Sequence, residues 1–440
     1  MLDIKFIREH VDEVREGLRK KRSDVDLDLL LALDEKRRAL IQKSEALKAE
    51  QNRADKEIAQ EKDSDAKKIT IEKMRVLKDE VRHSEFEARA VEEEFVNLMM
   101  RVPNLPDSDS PEGGEKDFRV LREVGNKPEF LFLAKDYVVL GENLDLIDTA
   151  RAAKVSGSRF GYLKHEAPLL EFALIQFAFS FLTNQKNIAE VVKEKKLSIS
   201  DKPFIPIIPP VLVRPEMMRS MGYTERGGEE IYFLEKDNLY LVGTAEQSVG
   251  PMHADEVFDE DALPHRHIAF STCFRREAGS YGKDIKGILR VHQFDKAEMF
   301  VFSTPESSRD EHMLLLGLEE KLMQALKIPY RALQIAAGDL GDPASAKYDI
   351  EAWLPGQQNG KGEYRETHSA SSTTDFQARR LNIKVRRKNG AQEFLHMLNG
   401  TAFAVGRMII AILENYQQED GSVRVPEVLQ SYIGMKEIKR

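Results

Sequence analysis

The chain reads as an α+β protein in two parts: an N-terminal antiparallel α-helical coiled-coil hairpin, then a largely antiparallel sheet flanked by helices. Three observations predict this. Apolar residues recur with a 3-4 spacing in two successive segments near the start. A stretch rich in proline, glycine and small polar residues, RVPNLPDSDSPEGGEKD, follows them. Beyond it, short β-branched and aromatic runs are joined by turns.

Taken in order, Asp3 is placed to cap a short helix whose apolar stripe is Ile7, Val11, Val14 and Leu18. The first heptad seam runs through Leu30, Leu33, Arg37, Leu40, Ser44, Leu47, Gln51, Ala54 and Ile58. The second runs through Thr70, Met74, Leu77, Val81, Ser84, Ala88, Val91, Phe95 and Leu98. The polar break at Lys62–Ala66 is short, so the two segments fold back on each other. At 1.5 Å per residue each arm reaches about 50 Å, too long to be justified by its own narrow core. Basic residues such as Lys36, Arg38, Lys43, Lys48, Arg53, Lys73, Arg75, Lys78 and Arg82 alternate with acids along it, a pattern that solvated coiled-coil surface also shows. The linker sets the expected boundary near Glu115, giving domains 1–115 and 116–440.

In the second part Leu169–Thr183 reads as an apolar helix. Ile205–Val213, Ile231–Phe233, Leu239–Val242, His267–Arg275, Val291–Phe302 and Tyr348–Leu354 read as strands. The turn Lys236–Asn238 joins two of them as a hairpin, which favours antiparallel pairing, although periodicity alone does not choose among α+β sheets. No GxGxxG turn supports a dinucleotide fold, and GQQNGKG at Gly356–Gly362 is too short for a P-loop and lacks a following Ser or Thr.

A net charge of −9 and a pI near 5.8 argue against indiscriminate coating of nucleic acid, so any RNA contact must use local basic surface. Cys273 is the only cysteine, which excludes an intrachain disulfide and fits a reducing compartment; its expected place is a buried strand position. No apolar run is long enough for a bilayer, and Asp3 and Glu9 stand where a signal peptide needs apolar residues, so no membrane association and a cytoplasmic location are expected.

Residues 271–300, STCFRREAGSYGKDIKGILRVHQFDKAEMF, are the most informative stretch. Alternation would put Arg275 and Glu277 on one face of an outgoing strand, and Phe294 and Glu298 on one face of the return strand. Between them Gly279, Ser280, Gly282, Lys283, Lys286 and Gly287 form a cationic loop suited to phosphates or a nucleic-acid end.

This stretch resembles the second signature motif of class II aminoacyl-tRNA synthetases, in the form used by seryl-tRNA synthetases. The resemblance extends along the chain through RAAKVSGSRF, LVGTAEQSV, DFQARR and NGTAFAVGRMIIAILENYQ. It implies a class II catalytic sheet, activation of L-serine by ATP to seryl-adenylate, and transfer to the 3′-terminal adenosine of tRNA(Ser), with tRNA(Sec) a further substrate where present. The N-terminal domain then becomes a tRNA-binding arm. In-line attack on the α-phosphate needs fixed cations and positioning more than an acid or a base. Arg275 is the expected α-phosphate clamp and Arg407, at the motif 3 position, the γ-phosphate ligand; these two are the catalytic candidates. Glu277 would face the adenine amino group and Phe294 would stack on the ring, with Arg276, Glu366, Thr367, His368 and Ser369 completing the ATP site.

Glu366 and Ser369, in ETHS, are the expected Mg2+ ligands; the family's usual Cys-Ser-Asn after this serine is replaced by Ala370, Ser371 and Ser372. His253, His265, His267 and His292 show no companion set for structural zinc, and none is expected. Thr244, Ala245, Glu246, Glu298, Asn399 and Thr401, with Arg275, are the expected serine site: carboxylates and hydroxyls suit an ammonium and a small hydroxyl, while serine over threonine comes from the resemblance alone. The motif 1 counterpart, with Pro209, Pro210 and Pro215, implies a homodimer in which one subunit's arm presents tRNA to the other's active site. A catalytically diminished paralogue would lack Arg275, Glu298 or Arg407, and a carrier-protein aminoacylating relative would lack the heptad hairpin; all are present.

Overall fold

A computed structural model describes residues 1–60, 63–225, 228–278 and 286–440, and the side chains of all of these except 57 and 64–70. Gly279, Ser280, Gly282 and Lys283 of the expected cationic loop, Lys62 at the polar break and the Thr70 side chain lie outside the described residues.

The heptad pattern produces two long helices, α1 (Leu27–Gln60) and α2 (Ser64–Arg101). Every expected seam position of α1, and every one of α2 from Met74 to Leu98, is buried or half-buried, with Leu30, Leu33, Met74, Val81, Val91 and Phe95 the most enclosed. Arg37 pairs with Glu92 at 3.1 Å and Lys48 with Glu85 at 2.8 Å, which sets the antiparallel register. Asp34 is fully buried, within ion-pair distance of Arg8, Arg37 and Arg38. The single short helix expected before the arm is two, Ile4–Glu9 and Val11–Lys20, broken at His10. Asp3 caps the first, its carboxylate accepting from the Lys5 amide at 2.8 Å.

The chain divides into two compact units, Met1–Pro103 and Asn104–Arg440. The division precedes the Glu115 expected from composition, because the proline- and glycine-rich stretch is tied down. Asn104 donates to the Pro343 and Thr373 carbonyls at 2.9 Å, and the Asp107 amide donates to the Ser345 carbonyl at 2.8 Å. The Pro111 and Gly113 carbonyls accept from Ala337 and Gly338.

The second unit is organised by an eight-stranded sheet. Its strands are β1 (Arg119–Val124), β2 (Ile205–Ile207), β3 (His265–Phe274), β4 (Gln293–Ser303), β5 (Tyr330–Gln334), β6 (Ala346–Leu354), β7 (Glu363–Ser372) and β8 (His396–Ala404). The spatial order is β1-β5-β6-β7-β8-β4-β3-β2, antiparallel throughout except for the parallel edge pair β2–β3. The strand expected over Ile205–Val213 is split: β2 ends before Pro209 and Pro210, and Leu212–Val213 joins a smaller sheet with the hairpin Phe233–Leu234 and Leu239–Leu241. The hairpin's turn residue Asn238 takes φ 52°.

Helices α3 (Glu166–Leu182), α4 (Ser308–Ala325) and α5 (Val405–Asn415) bury their apolar stripes with Ala297, Met299 and Val301 of β4 in one large core. Among the described residues no single helix is long and apolar enough to cross a membrane.

Within this core Arg266 of β3 and Glu311 of α4 form a fully buried bidentate pair, with Nε–Oε2 at 2.9 Å and Nη2–Oε1 at 2.6 Å. Arg266 also donates to the Lys202 and Ser200 carbonyls, so the guanidinium is satisfied on both sides. Replacing Glu311 with Ala strands a buried cation and is expected to lower the stability of the second unit by about 3 to 5 kcal/mol in urea unfolding. A midpoint unchanged from the parent would mean that water reaches Arg266.

Candidate active site

Alternation sends Phe294, Lys296 and Glu298 of β4 away from the helices, into a cavity of about 730 Å3. Two irregularities in the sheet add functional groups to the same wall. Where β7 pairs with β6, Ile350 opposes His368 and Glu351 opposes Glu366, leaving Thr367 as an extra residue. Glu366 and Ser369 are an odd number of residues apart, and strict alternation would send them to opposite faces; the bulge lets both line the cavity. On β8, Ala404 opposes Lys296 and Thr401 opposes Glu298, so Ala402 is the extra residue, and Thr401 and Ala404 both reach the cavity.

One group of lining residues is rich in carboxylates and hydroxyls. Glu298 is buried, with Oε2 2.6 Å from the Lys296 ammonium and 3.4 Å from the Thr401 hydroxyl, which donates to it. Glu246 begins a one-turn helix, Glu246–Val249, and accepts from Gln377 Nε2 at 3.2 Å. Burial, and then the charge of Glu298, push the Glu246 carboxyl above the usual range. Burial beside Glu246 likewise pushes the Tyr223 hydroxyl well up. The Thr244 hydroxyl is buried with no hydrogen-bond partner among the described residues. Such a set suits a small molecule carrying an ammonium and a hydroxyl.

A second group is cationic. Arg275 was expected on the outgoing strand, but β3 ends at Phe274, so Arg275 and Glu277 belong to the loop, where Glu277 takes φ 51°. Arg275 Nε donates to the Gly243 carbonyl at 3.1 Å, and its guanidinium lies 5.3 Å from the centre of the Phe294 ring. Arg407, in the first turn of α5, donates to the Glu366 carbonyl at 2.8 Å and stands 3.5 Å from its carboxylate. The cleft disfavours charge on Glu366, yet Arg407, Lys347 and Arg275 together hold its carboxyl below the ordinary range. Burial similarly opposes the charge of Lys347, but Asp349 and Glu366 outweigh it and raise its pKa. Burial pushes Asp349 up to about 7 although Lys347 is 3.1 Å away. Fixed cations beside an aromatic face suit phosphate oxygens and a planar base.

Of the residues singled out in the sequence, Thr244, Glu246, Arg275, Glu277, Phe294, Glu298, Glu366, Thr367, Ser369, Asn399, Thr401 and Arg407 line this cavity. Three do not. Arg276 lies over the Tyr232 ring, Ala245 is enclosed in a separate apolar cluster, and His368 is buried against Phe403 with Nδ1 2.9 Å from the Thr367 hydroxyl. Glu277 lines the cavity with one oxygen held by Arg290 Nε at 2.5 Å. Sequence reading missed Lys296, Lys347 and Arg290. Lys296 was legible as the residue two before Glu298 on the same strand face; Arg290 comes to Glu277 only through the loop.

Where the sequence offered no companion set among the histidines, the fold brings His253, His265 and His267 together, apart from His292, whose Nδ1 lies 3.0 Å from the Arg275 carbonyl.

Comparison with known proteins gives a consistent picture. The family described as seryl-tRNA synthetase N-terminal domain matches residues 1–106, and the class II tRNA synthetase core domain (G, H, P, S and T) matches residues 232–416. A serine–tRNA ligase of Thermobifida fusca is 45% identical over 435 residues, covering 99% of this chain and 98% of the relative. Another, from Dictyoglomus thermophilum, is 43% identical over 444 residues, covering 100% and 99%. The crystal structure of seryl-tRNA synthetase from Pyrococcus horikoshii complexed with ATP superposes with a TM-score of 0.87 at 38% identity, covering 100% of this chain and 99% of that one.

Lys296 is the ammonium nearest Glu298 in a buried, carboxylate-rich wall. Its replacement by Met leaves that carboxylate uncompensated, and the second unit is expected to lose about 3 kcal/mol in denaturant unfolding. If the loss is below a tenth of that, the charge of Glu298 is balanced elsewhere.

Proposed function

We propose, on the premise that this chain belongs to the seryl-tRNA synthetase family, that the cavity on its eight-stranded sheet is where serine meets ATP and the end of a tRNA. The reaction has two halves. The serine carboxylate attacks the α-phosphorus of ATP, the bond to the bridging oxygen breaks, and pyrophosphate leaves from seryl-adenylate. A hydroxyl of the tRNA's terminal ribose then attacks the acyl carbon, and AMP leaves. The observation that carries the assignment is one cavity lined both by Glu246, Glu298, Thr244 and Thr401 and by Arg275, Lys347 and Arg407. The first group receives the serine ammonium and hydroxyl, aided by Asn399. Alanine would leave these buried groups unpaired, which is the source of discrimination against it.

Arg275 holds the reacting carboxylate and α-phosphate together, so it acts on charge that grows in the transition state. Phe294 stacks on the adenine while Arg290 keeps Glu277 oriented beside it. Arg407, fixed by the Glu366 carbonyl, takes the far phosphates. Glu366 and Ser369 fit a hard cation: the β7 bulge turns both oxygen donors to one side, and Asp349 Oδ1 is buried with no hydrogen-bond partner among the described residues. Bound there, Mg2+ would neutralise phosphate charge.

The heptad hairpin carries the tRNA(Ser) reading, and tRNA(Sec) where such a tRNA exists. Lys43, Arg53, Lys73, Arg75, Lys78 and Arg82 are exposed along it and make no ion pair with described residues, so they are available to phosphates. A homodimer, with tRNA spanning the subunits, is supported by exposed apolar residues on α3 and at the proline-rich edge: Leu169 and Phe172, with Ile205 and Ile208. The cytoplasm is the compartment that suits a lone buried thiol and a tRNA substrate.

Replacing Arg275 or Arg407 with Ala is expected to slow serine-dependent ATP–pyrophosphate exchange about a hundredfold or more while the protein stays folded. Near-normal exchange in both variants removes the phosphate assignment. Glu298→Ala is expected to raise the serine KM far more than the ATP KM; equal rises would place Glu298 outside the serine site. The Arg37–Glu92 and Lys48–Glu85 pairs give the register for excising residues 43–88 and closing the arm with a short turn. That variant should retain exchange but lose tRNA charging by orders of magnitude, measured on one preparation. Full charging would refute the arm's role.

A further inference from the structure

The three converging histidines do not line the reaction cavity, although its residue Glu298 opposes Ala269, two residues from His267. His265 and His267 open β3, whose other end leads to Arg275, so His267 and Arg275 are about 25 Å apart at about 3.3 Å per residue. His253 closes the short 3-10 turn Gly250–His253 and faces both. The ring centres of His265 and His267 are 4.7 Å apart, and that of His253 is 5.5 and 6.3 Å from them. One nitrogen from each residue falls within 4.8 Å of the other two.

The arrangement is built as well as close. The Glu256 carboxylate lies 2.8 Å from His253 Nδ1, and because a carboxylate only accepts, the proton sits on Nδ1 and the lone pair on Nε2. Among the described residues that Nε2 is buried without a hydrogen-bond partner, and His267, only 4% exposed, has none for its buried ring nitrogens beyond a contact with the Ile205 backbone. Buried nitrogens left unpaired cost free energy and need an explanation. Phe258 and Phe302 wall the cluster, their ring centres 4.9 and 5.3 Å from that of His253.

We propose that His253, His265 and His267 form a three-imidazole site for a borderline divalent transition-metal ion, of which Zn2+ is the type, distinct from the ATP-linked cation at Glu366 and Ser369. Neutral imidazoles select such an ion over Mg2+, which takes oxygen ligands. Zinc–nitrogen bonds of about 2.0 to 2.1 Å set ligand nitrogens about 3.4 Å apart, so small rotations of the rings close the site. Half-exposed His265 leaves the fourth position to water. The bound ion ties the Gly250–His253 turn to the start of β3, a structural role away from the chemistry.

The test uses the full chain without an affinity tag, stripped with chelator and titrated with Co2+. One equivalent is expected to bind with the intense visible bands of tetrahedral cobalt and to be displaced by Zn2+. His253→Gln and His265→Gln should each weaken binding at least tenfold, and Glu256→Gln about tenfold through the tautomer it fixes. All three should keep the parent's ATP–pyrophosphate exchange, which certifies the fold. Absence of a one-equivalent site in the parent, or unchanged binding in either histidine variant, overturns the proposal and leaves a buried cluster of neutral rings.

Discussion

The wall of the cavity depends on the two-residue alternation of strands and on the two places where it is broken. Regular pairing of β4 with β3 puts Phe294, Lys296 and Glu298 on one face and the core residues Ala297 and Met299 on the other. Without the extra residue on β7, Glu366 and Ser369 could not share a cavity, and without that on β8, Thr401 and Ala404 could not. The bulges therefore determine which oxygens meet, and the large apolar core under the sheet holds them in place. Groups carried on strands in this way are held more precisely than the loop-borne Arg275 and Glu277 beside them.

Charge balance is the second condition. Glu246, Glu298, Asp349 and Glu319 of α4 are all buried in or just beneath the floor of the cavity. Burial pushes Glu319 well up, with Asp349 and Glu298 adding to it, so that carboxyl is favoured in its neutral form. It lies directly under Gly400, where a Cβ would come 3.1 Å from its Oε1. Glycine at this position lets the strand pass over the carboxyl while Asn399 and Thr401 on either side line the cavity. The lysines fixed in the wall compensate the carboxylates near them, and a ligand bearing both an ammonium and phosphates complements what remains on each side.

The arm was legible residue by residue, because a heptad seam is a local periodic pattern and burial follows it from Leu30 to Leu98 wherever side chains are described. Strands were legible where they were apolar, as in β3, β4 and β6. Those lining the cavity, β7 and β8, escaped periodicity because their inward faces carry polar groups such as Ser369, Asn399 and Thr401. The candidate site residues came mainly through motif resemblance. Pairings made through tertiary structure were not available to it: Arg290 with Glu277, Gln377 with Glu246, and the meeting of His253 with His265 and His267. The end of β3 at Phe274, one residue before the expected bound, is a similar case: the Arg275 amide still donates to the His292 carbonyl in register, but the His292 amide turns away to the Arg159 carbonyl.

Cys273 sits inside β3 with no exposed surface, its thiol against the Ser271 hydroxyl, and burial raises its pKa. The molecule is therefore silent towards maleimides and other thiol reagents while folded. Cysteines introduced at chosen points on the arm and the sheet unit can carry fluorophores or spin labels in an otherwise natural background. The distance between the two units then becomes a spectroscopic observable, open to following as each substrate arrives.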